Sequence, residues 1–192
     1  MIIEAFKNLV CVFGLIIISP FLAFIGLLIL FEDGLPILFS QKRYGLNKTV
    51  FRIYKIRTLK KDAPQLGSHE IDDRYKLFSG TIARNLKLDE FPQLINVLKG
   101  DINLIGPRPG LITQTLLEKA RTENDVFKIK PGITGLGQIL GFDMSDPQKL
   151  AEIDKIYVDN HSKKIDMMIL FGTFFKYPRK HLVSKLNINY NK

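Results

Sequence analysis

The longest apolar stretch of the chain lies close to its first residue. Every residue from Asn8 to Phe31 lacks a full charge, and most are leucine, isoleucine, phenylalanine or valine. As a straight helix this stretch would be roughly 36 Å long, at about 1.5 Å per residue. The hydrocarbon core of a bilayer is about 30 Å thick, so the pattern predicts a membrane helix. The stretch is too long for the apolar part of a signal peptide, which excludes that class.

Ser19 and Pro20 lie near the middle of this stretch and predict a bend. Proline removes a backbone donor and clashes with the preceding turn, and a serine hydroxyl can satisfy a freed backbone group. A bent helix can return to the side it came from, but spanning helices also tolerate proline, so this feature alone leaves both topologies open. Basic residues flank both ends, which favours cytoplasmic placement of both. They are Lys7 before the stretch and Lys42, Arg43, Lys48, Arg52, Lys55 and Arg57 after it.

Beyond this stretch the hydrophobic pattern becomes that of a water-facing domain. Alternation predicts a strand over Val50–Leu59, in which Lys55 and Arg57 share a face. Four glycines predict a loop with close backbone approaches over Pro131–Gly141. Helical spacing predicts helices over Asp89–Lys99 (capped by Asp89), Leu111–Thr122, Pro147–Asn160 and Ser162–Phe175. The expected fold is α/β, mainly helical with a small sheet, with residues 1–33 as a membrane anchor and 34–192 as a cytosolic domain.

The last predicted helix combines an apolar sequence with a basic tail. Met167 to Phe175 is rich in methionine, isoleucine, leucine and phenylalanine, and the residues after it include lysines and arginine but no acid. The helix is too short to span a bilayer. Apolar residues beside basic ones are typical of an interfacial element that contacts lipid headgroups. Completion of the core is the alternative interpretation of the same helix.

Composition narrows the classes of function. The 192 residues suffice for one ordinary domain with an attached membrane element. With 46% hydrophobic and 24% charged residues, collagen-like and wholly disordered classes are excluded. A net charge of +9 indicates anionic partners, such as phosphorylated ligands, lipid headgroups or nucleic acid. The single cysteine, Cys11, excludes an internal disulfide and a cysteine-rich metal site.

Two short segments carry candidate chemistry. Asp89 and Glu90 are adjacent acids at a predicted helix start, where carboxylates usually do no more than complement the helix dipole. With basic residues nearby, a second interpretation arises, because an aspartate can attack phosphorus beside Mg²⁺ held by carboxylate and phosphate oxygens. Arg108 lies between Pro107 and Pro109, so a stiff loop would present its guanidinium for bidentate phosphate recognition.

These segments belong to a longer ordered pattern. It comprises Ser19-Pro20, Tyr54-Lys55-x-Arg57-Thr58, Arg84, Leu88-Asp89-Glu90-Phe91-Pro92-Gln93-Leu94, Gly106-Pro107-Arg108-Pro109 and Pro131-Gly132-Ile133-Thr134-Gly135. In this order the motifs strongly resemble those of the bacterial sugar transferases, the monotopic phosphoglycosyl transferases that initiate surface-glycan assembly. The resemblance covers nearly the whole chain.

The resemblance implies an activity and a set of site residues. The activity is transfer of a sugar-1-phosphate from a UDP-sugar to a polyprenol phosphate, such as undecaprenyl phosphate, with release of UMP. Asp89 would be the nucleophile that forms a covalent phosphosugar and would bind Mg²⁺, and Glu90 would assist proton transfer or metal placement. The expected substrate-binding residues are Arg108 with its neighbours Pro107 and Pro109, then Lys55, Arg57, Arg84 and Gln138.

The resemblance also implies a location. Family members are held by a re-entrant helix bent at Ser-Pro, which favours that topology for Ser19 and Pro20. We therefore expect a monotopic protein on the cytoplasmic face of the bacterial inner membrane, in contact with anionic lipids and without a nucleic-acid partner. A second copy of the chain, in a homodimer, is a further candidate partner.

Two residues depart from the family pattern and leave the transferred sugar open. Leu140 and Phe142 stand where the family usually has asparagine and arginine. A different class of function also fits the charge and the anchor: a non-catalytic, membrane-tethered protein that binds nucleic acid or anionic lipid. Nucleic-acid affinity that falls steeply with salt would identify it. An inactive family member retained as a scaffold is a third reading, against which Asp89, Glu90 and Arg108 argue.

Overall fold

The computed structural model describes residues 2–64 and 71–188, and these residues are mainly helical. The helices are α1 (Ile2–Asp33), α2 (Phe78–Asn85), α3 (Gln93–Lys99), α4 (Thr115–Glu123), α5 (Leu136–Leu140), α6 (Pro147–Asp159), α7 (Lys163–Phe174) and α8 (Lys176–Lys185). The strands are β1 (Leu38–Tyr44), β2 (Val50–Ile56), β3 (Asn103–Ile105) and β4 (Gly132–Thr134). Within the described residues, β1 pairs with β2, and β3 pairs with β4 in parallel. The mainly helical fold is confirmed, with two small sheets in place of the one expected.

The chain forms two compact units. The first contains Met1–Lys42 and Arg52–Gly100, and the second contains Arg43–Phe51 and Asp101–Lys192. Each unit has a hydrophobic core of its own. The first core contains Ile25, Ile29, Ile56, Leu77, Ala83 and Leu88. The second contains Leu136, Ile139, Leu140, Ile153, Tyr157, Ile165, Ile169, Leu182 and Ile188.

The apolar helix α1 buries one stripe of its surface. Cys11, Ile25 and Ile29 are buried at helical spacing and belong to this stripe. Large apolar side chains cover the opposite surface and are exposed: Leu9, Phe13, Ile16, Ile17, Phe21, Phe24, Leu27 and Phe31. Of the described helices, only α1 is long and apolar enough to cross a membrane by length and composition. An apolar surface of this extent requires an apolar environment.

The helix α1 continues through the proline at its centre. The Oγ of Ser19 donates a hydrogen bond to the carbonyl oxygen of Ile16 at 2.8 Å. In a regular helix that carbonyl would accept from the amide of residue 20, which Pro20 lacks. The expectation that the serine hydroxyl satisfies a freed backbone group is confirmed. The bend at Ser19 and Pro20 stays a prediction.

The glycine-rich segment is structured, so the predicted loop over Pro131–Gly141 is wrong. It contains β4 and α5. A Cβ atom added at Gly132 would lie 2.5 Å from the carbonyl carbon of Ile105 and closer still to the amide nitrogen of Gly106. Gly132 therefore permits a close approach of β4 to β3, and the glycine marks packing between strands that are distant in sequence.

Other elements also differ from expectation, among them α4, which begins at Thr115 and not at Leu111. Asp89 does not cap a helix, because it lies in a 3₁₀ turn over Leu88–Glu90, and α3 begins only at Gln93. The strand β2 ends at Ile56, before Arg57. The basic tail forms α8, which was not predicted because Pro178 interrupts its pattern. Residues 189–192 of that tail lie outside the described part of the chain.

The close approach at Gly132 predicts a large effect of a small substitution. Gly132→Ala places a methyl group against the backbone of β3, so we expect a loss of about 3 kcal/mol in the free energy of unfolding. Thermal unfolding in detergent micelles measures it. Gly14→Ala is the matched control, because its Cβ would meet the Cδ1 of Leu94 at an ordinary 3.5 Å. Unfolding of Gly132→Ala at the wild-type temperature would contradict the close approach.

Candidate active site

The adjacent acids lie on a turn that is anchored in the core of the first unit. Leu88 is buried in the same core cluster as Ile25 and Ile29 of α1. The next two residues, Asp89 and Glu90, are partly exposed. Burial of Leu88 therefore fixes a turn whose two acidic residues remain partly exposed.

Lys55 of β2 forms an ion pair with one of these acids. Its Nζ lies 2.9 Å from Oε1 of Glu90, and the two side chains are 17% and 25% exposed. Because the pair is partly buried, water and salt screen its attraction less than they screen that of a surface pair. The structure thus brings together two of the residues that the sequence assigned to the site, although they are far apart in the chain.

Asn96 of α3 holds this helix to β2 through two backbone bonds. Its Oδ1 accepts from the amide of Tyr54 at 3.0 Å, and its Nδ2 donates to the carbonyl of Arg52 at 2.7 Å. The side chain is fully buried. The strand that carries Lys55 and the helix that follows Glu90 are thereby fixed to each other. This role of Asn96 was missed, because nothing in its local pattern names its partner.

The two predicted arginines of this unit bond to protein groups. Arg84 Nε donates to Oγ1 of Thr58 at 2.8 Å. Arg57 is buried, donates from Nε to the carbonyl of Pro36 at 2.6 Å, and pairs with Asp33 at the end of α1. Arg57 therefore holds the chain where it leaves α1. Arg57 lies beyond the end of β2, and its bonding partners differ from that of Lys55. The two side chains therefore do not share one face of the strand, contrary to expectation.

Glu32 is a second residue that the sequence analysis missed. Its carboxylate accepts from the amides of Phe78 and Ser79 at 2.6 and 3.0 Å and from the Ser79 hydroxyl at 2.6 Å. These amides belong to the first turn of α2, whose orphan donors the carboxylate satisfies. The sequence signal that could have identified Glu32 is its position, since it is an acid directly after a long apolar stretch. Glu32 links α1 to the helix that leads to Asp89.

The second unit contains the arginine that lies between two prolines. Pro107 and Pro109 are buried, whereas Arg108 is partly exposed. The loop thus buries its rigid residues and leaves the charged one near the surface.

Gln138 lies in α5 of the same unit. Its Nε2 donates to the carbonyl of Ile133 at 2.8 Å, and its Oε1 is buried without a partner in the described part of the chain. Leu140 is buried in the core of this unit, and Phe142 packs against it. The two residues that depart from the family pattern therefore serve packing here.

Carboxylate oxygens are the available ligands for a metal ion in the first unit. The described residues contain no group of three or more histidine, cysteine, aspartate or glutamate side chains that could hold a metal. Mg²⁺ commonly binds through one or two carboxylates together with substrate phosphates and water. Asp89 and Glu90 fit that mode of binding.

Comparison with known proteins identifies the family. The family model described as bacterial sugar transferase matches residues 1–180. This chain belongs to that family. The resemblance drawn from its motifs is confirmed, and the chain is a transferase of this family.

Three relatives show how the chain relates to named proteins. It is 42% identical over 154 residues to the uncharacterized sugar transferase EpsL of Bacillus subtilis, covering 79% of this chain and 73% of the relative. It is 34% identical over 174 residues to the UDP-N-acetylgalactosamine-undecaprenyl-phosphate N-acetylgalactosaminephosphotransferase of Aeromonas hydrophila, covering 86% and 41%. It is 33% identical over 172 residues to the UDP-glucose:undecaprenyl-phosphate glucose-1-phosphate transferase of Escherichia coli, covering 84% and 37%. The chain thus spans less than half of the latter two relatives.

The ion pair beside Asp89 predicts a measurable coupling. In a double-mutant cycle of Lys55→Met and Glu90→Gln, we expect a coupling of about 1 kcal/mol in the free energy of unfolding, because the pair is partly buried. The control cycle uses Lys149 and Glu152, whose nitrogen and oxygen are also 2.9 Å apart but whose side chains are 40% and 58% exposed. Its coupling stays below about 0.5 kcal/mol. Equal coupling free energies in the two cycles would contradict the expectation that partial burial strengthens the Lys55–Glu90 pair.

Proposed function

We propose that this sugar transferase moves a sugar-1-phosphate from a UDP-sugar to a polyprenol phosphate, with undecaprenyl phosphate as the acceptor. The family and the printed names of its relatives support the reaction class. The observation that carries the proposal is the turn of Leu88–Glu90. It presents two adjacent acids, of which Glu90 pairs with Lys55, and it is anchored in the core that α1 shares.

Asp89 is the nucleophile of this reaction. Its carboxylate oxygen attacks the β-phosphorus of the UDP-sugar, a bond to phosphorus forms, and the bond from that phosphorus to the bridging oxygen breaks. UMP leaves with the electron pair, and Asp89 holds the sugar-1-phosphate as an acyl phosphate. Division of the transfer into two steps lets a donor from water and an acceptor from the membrane react one after the other.

Glu90 acts in the second step. A phosphate oxygen of the polyprenol phosphate attacks the phosphorus held on Asp89, the bond to the carboxylate breaks, and a polyprenyl diphosphate sugar leaves. Where the acceptor is a monoanion, Glu90 takes its proton. Lys55, 2.9 Å from Glu90, holds this carboxylate in place and offsets its charge.

Mg²⁺ is the proposed cofactor, with Asp89 as its protein ligand and Glu90 beside it. When bound with the diphosphate, such an ion would supply positive charge that offsets the repulsion between a carboxylate and a phosphate. Asp89 still has to lie in line with the bond that breaks, and the buried Leu88 fixes the turn that sets this direction. The basic residues complete the set: Arg108 contacts the nucleotide, Arg57 holds the backbone where the chain leaves α1, and Arg84 holds the side chain of Thr58.

The apolar helix α1 is the proposed membrane anchor, re-entrant and bent at Ser19 and Pro20. Its buried stripe supports this topology, because a Cβ at Gly14 in its first half would lie 3.5 Å from Leu94 of α3. In its second half, Ile25 and Ile29 share a core with Leu88. Contacts of both halves with one unit are expected of a helix that stays on one side. The bonded carbonyl of Ile16 fits a site in lipid.

The junction of α7 and α8 is the proposed second contact with the membrane. Phe171, Phe174, Phe175 and Tyr177 are at least half exposed there. Lys176 and Lys180 are exposed beside them, as expected for contact with anionic headgroups. Arg179 instead donates to the carbonyls of Gly172 and Thr173 at the end of α7. The protein then works on the cytoplasmic face of the inner membrane.

The role of Asp89 predicts loss of activity without loss of fold. Asp89→Asn keeps the shape of the side chain but removes the nucleophile, so UMP release from a UDP-sugar falls by about 10³-fold or more. The donor is identified first with a panel that includes UDP-glucose and UDP-N-acetylgalactosamine. Mass spectrometry of the wild type incubated with the donor alone finds one added phosphosugar, which Asp89→Asn lacks.

The matched control for this experiment is Asp62→Asn. Asp62 is an exposed carboxylate of the same unit, so its replacement leaves UMP release and the adduct unchanged. Substantial UMP release by Asp89→Asn would remove this residue as the nucleophile. A wild type that turns over rapidly but never carries the adduct would favour direct displacement.

The proposed topology predicts that both ends of α1 lie on one side. Cys11→Ala removes the native thiol, and Glu4→Cys and Lys60→Cys place single exposed thiols before and after the apolar stretch of Asn8–Phe31. An impermeant maleimide labels both variants in inverted inner-membrane vesicles and neither in right-side-out vesicles. Labelling of the two positions from opposite sides would overturn the re-entrant topology. Labelling of both from outside would overturn the cytoplasmic location.

A further inference from the structure

The loop that carries Arg108 is held through its backbone. Each carbonyl oxygen from Pro107 to Gly110 accepts a hydrogen bond from a different residue of the second unit. The bonds are Gly132 N to Pro107 O at 3.0 Å, Arg121 Nη1 to Arg108 O at 2.7 Å, Arg43 Nη1 to Pro109 O at 3.0 Å and Tyr44 N to Gly110 O at 3.1 Å. Because two of the four residues are prolines with fixed φ, the backbone around Arg108 has few accessible conformations.

Arg121 is the donor that reaches the carbonyl of Arg108 itself. Its Nε and Nη2 donate to Oδ2 of Asp154 at 3.0 and 2.6 Å, while Nη1 donates to Arg108. The side chains of Arg121 and Asp154 are 3% and 2% exposed. A planar guanidinium can serve both partners at once, whereas the ammonium of lysine is a point charge on a flexible stem.

Stability alone gives no reason for this buried pair. Replacement of a buried ion pair by apolar residues of similar volume is often neutral or stabilising. Burial raises the pKa of Asp154, and the guanidinium of Arg121 opposes that shift. What an apolar replacement cannot supply is the hydrogen bond to the carbonyl of Arg108. The pair joins α4 and α6 to the one residue of this loop that carries a charge.

We propose that Arg121 and Asp154 are positioning residues for Arg108, which hold the backbone from which its guanidinium contacts the nucleotide of the UDP-sugar. The inference rests on the proposed function for the role of Arg108. A side chain on a fixed backbone loses less entropy when it binds its ligand. The pair therefore acts on binding of the nucleotide sugar more than on the chemical step.

The test compares the wild type with the double variant Arg121→Met/Asp154→Leu. Replacement of both partners leaves no unpaired buried charge, so we expect an unfolding temperature at or above that of the wild type. In UMP-release kinetics, KM for the UDP-sugar rises about tenfold, and kcat changes by less than about twofold. An unchanged KM in the folded double variant would overturn the proposal.

A thermodynamic cycle with Arg108→Ala distinguishes an effect on KM that acts through Arg108 from a general loss of structure. Once the positioned side chain is absent, addition of the double replacement raises KM by less than about twofold. Equal increases with and without Arg108 would show an effect that does not act through it and would overturn the proposal. Ile153→Ala is the control, because Ile153 is a buried neighbour of Asp154 on α6. It lowers the unfolding temperature and leaves KM unchanged.

Backbone hydrogen exchange supplies a readout that does not require catalysis. Arg108 and Gly110 carry the two amide protons of this loop, because its prolines have none. We expect their exchange to be about tenfold faster in the double variant than in the wild type, and unchanged in Ile153→Ala. If the wild type releases no UMP from any UDP-sugar, the proposed function fails on its own. Unchanged exchange in the double variant overturns the positioning role in either case.

Discussion

Leu88 occupies the same core as Ile25 and Ile29 of the apolar helix, and the rest of the first unit depends on that packing. An apolar helix with one buried stripe cannot leave its remaining surface in water without a large cost. The unit therefore has to stay where that surface meets lipid. Since Leu88 is followed at once by Asp89 and Glu90, the same packing fixes the turn of these two acids against α1.

Side chains that bond to backbone groups hold the elements around this turn. Glu32 bonds the amides that open α2, Asn96 bonds an amide and a carbonyl of β2, and Arg57 bonds carbonyls where the chain leaves α1. Asn96 and Arg57 are buried, and a buried polar side chain is costly unless it is fully bonded. Satisfied in this way, each one specifies a single arrangement of the elements it joins. Such rigidity suits a reaction that must align an attacking oxygen with a breaking bond.

The second unit achieves rigidity by other means. Gly132 lets β4 approach β3 so closely that no side chain fits between them, and Pro107 and Pro109 are buried on either side of Arg108. Leu140 and Phe142 belong to the core of this unit, which explains how the chain keeps its packing where the family usually has polar residues.

Several features of this protein could be predicted from the sequence because they depend on residues that are close together in the chain. An uncharged stretch from Asn8 to Phe31 defines an apolar helix wherever it lies, and the spacing that predicts α6 and α7 depends only on neighbouring residues. The order of the short motifs was sufficient to indicate the family that the comparison confirmed. The hydroxyl of Ser19 could also be assigned a partner, because that partner is three residues away.

The tertiary structure decided what depends on residues distant in sequence. Pro131–Gly141 looked like a loop, because the parallel partner of β4 lies near residue 105 and leaves no trace in the local pattern. For the same reason the sequence could not show that Lys55 meets Glu90, that Arg57 holds the end of α1, or that Arg121 and Asp154 meet at Arg108. Period and composition reveal which residues a helix or strand contains. Only the packing of those elements determines which charges meet, since burial and hydrogen bonding are properties of surroundings that the whole chain has to build.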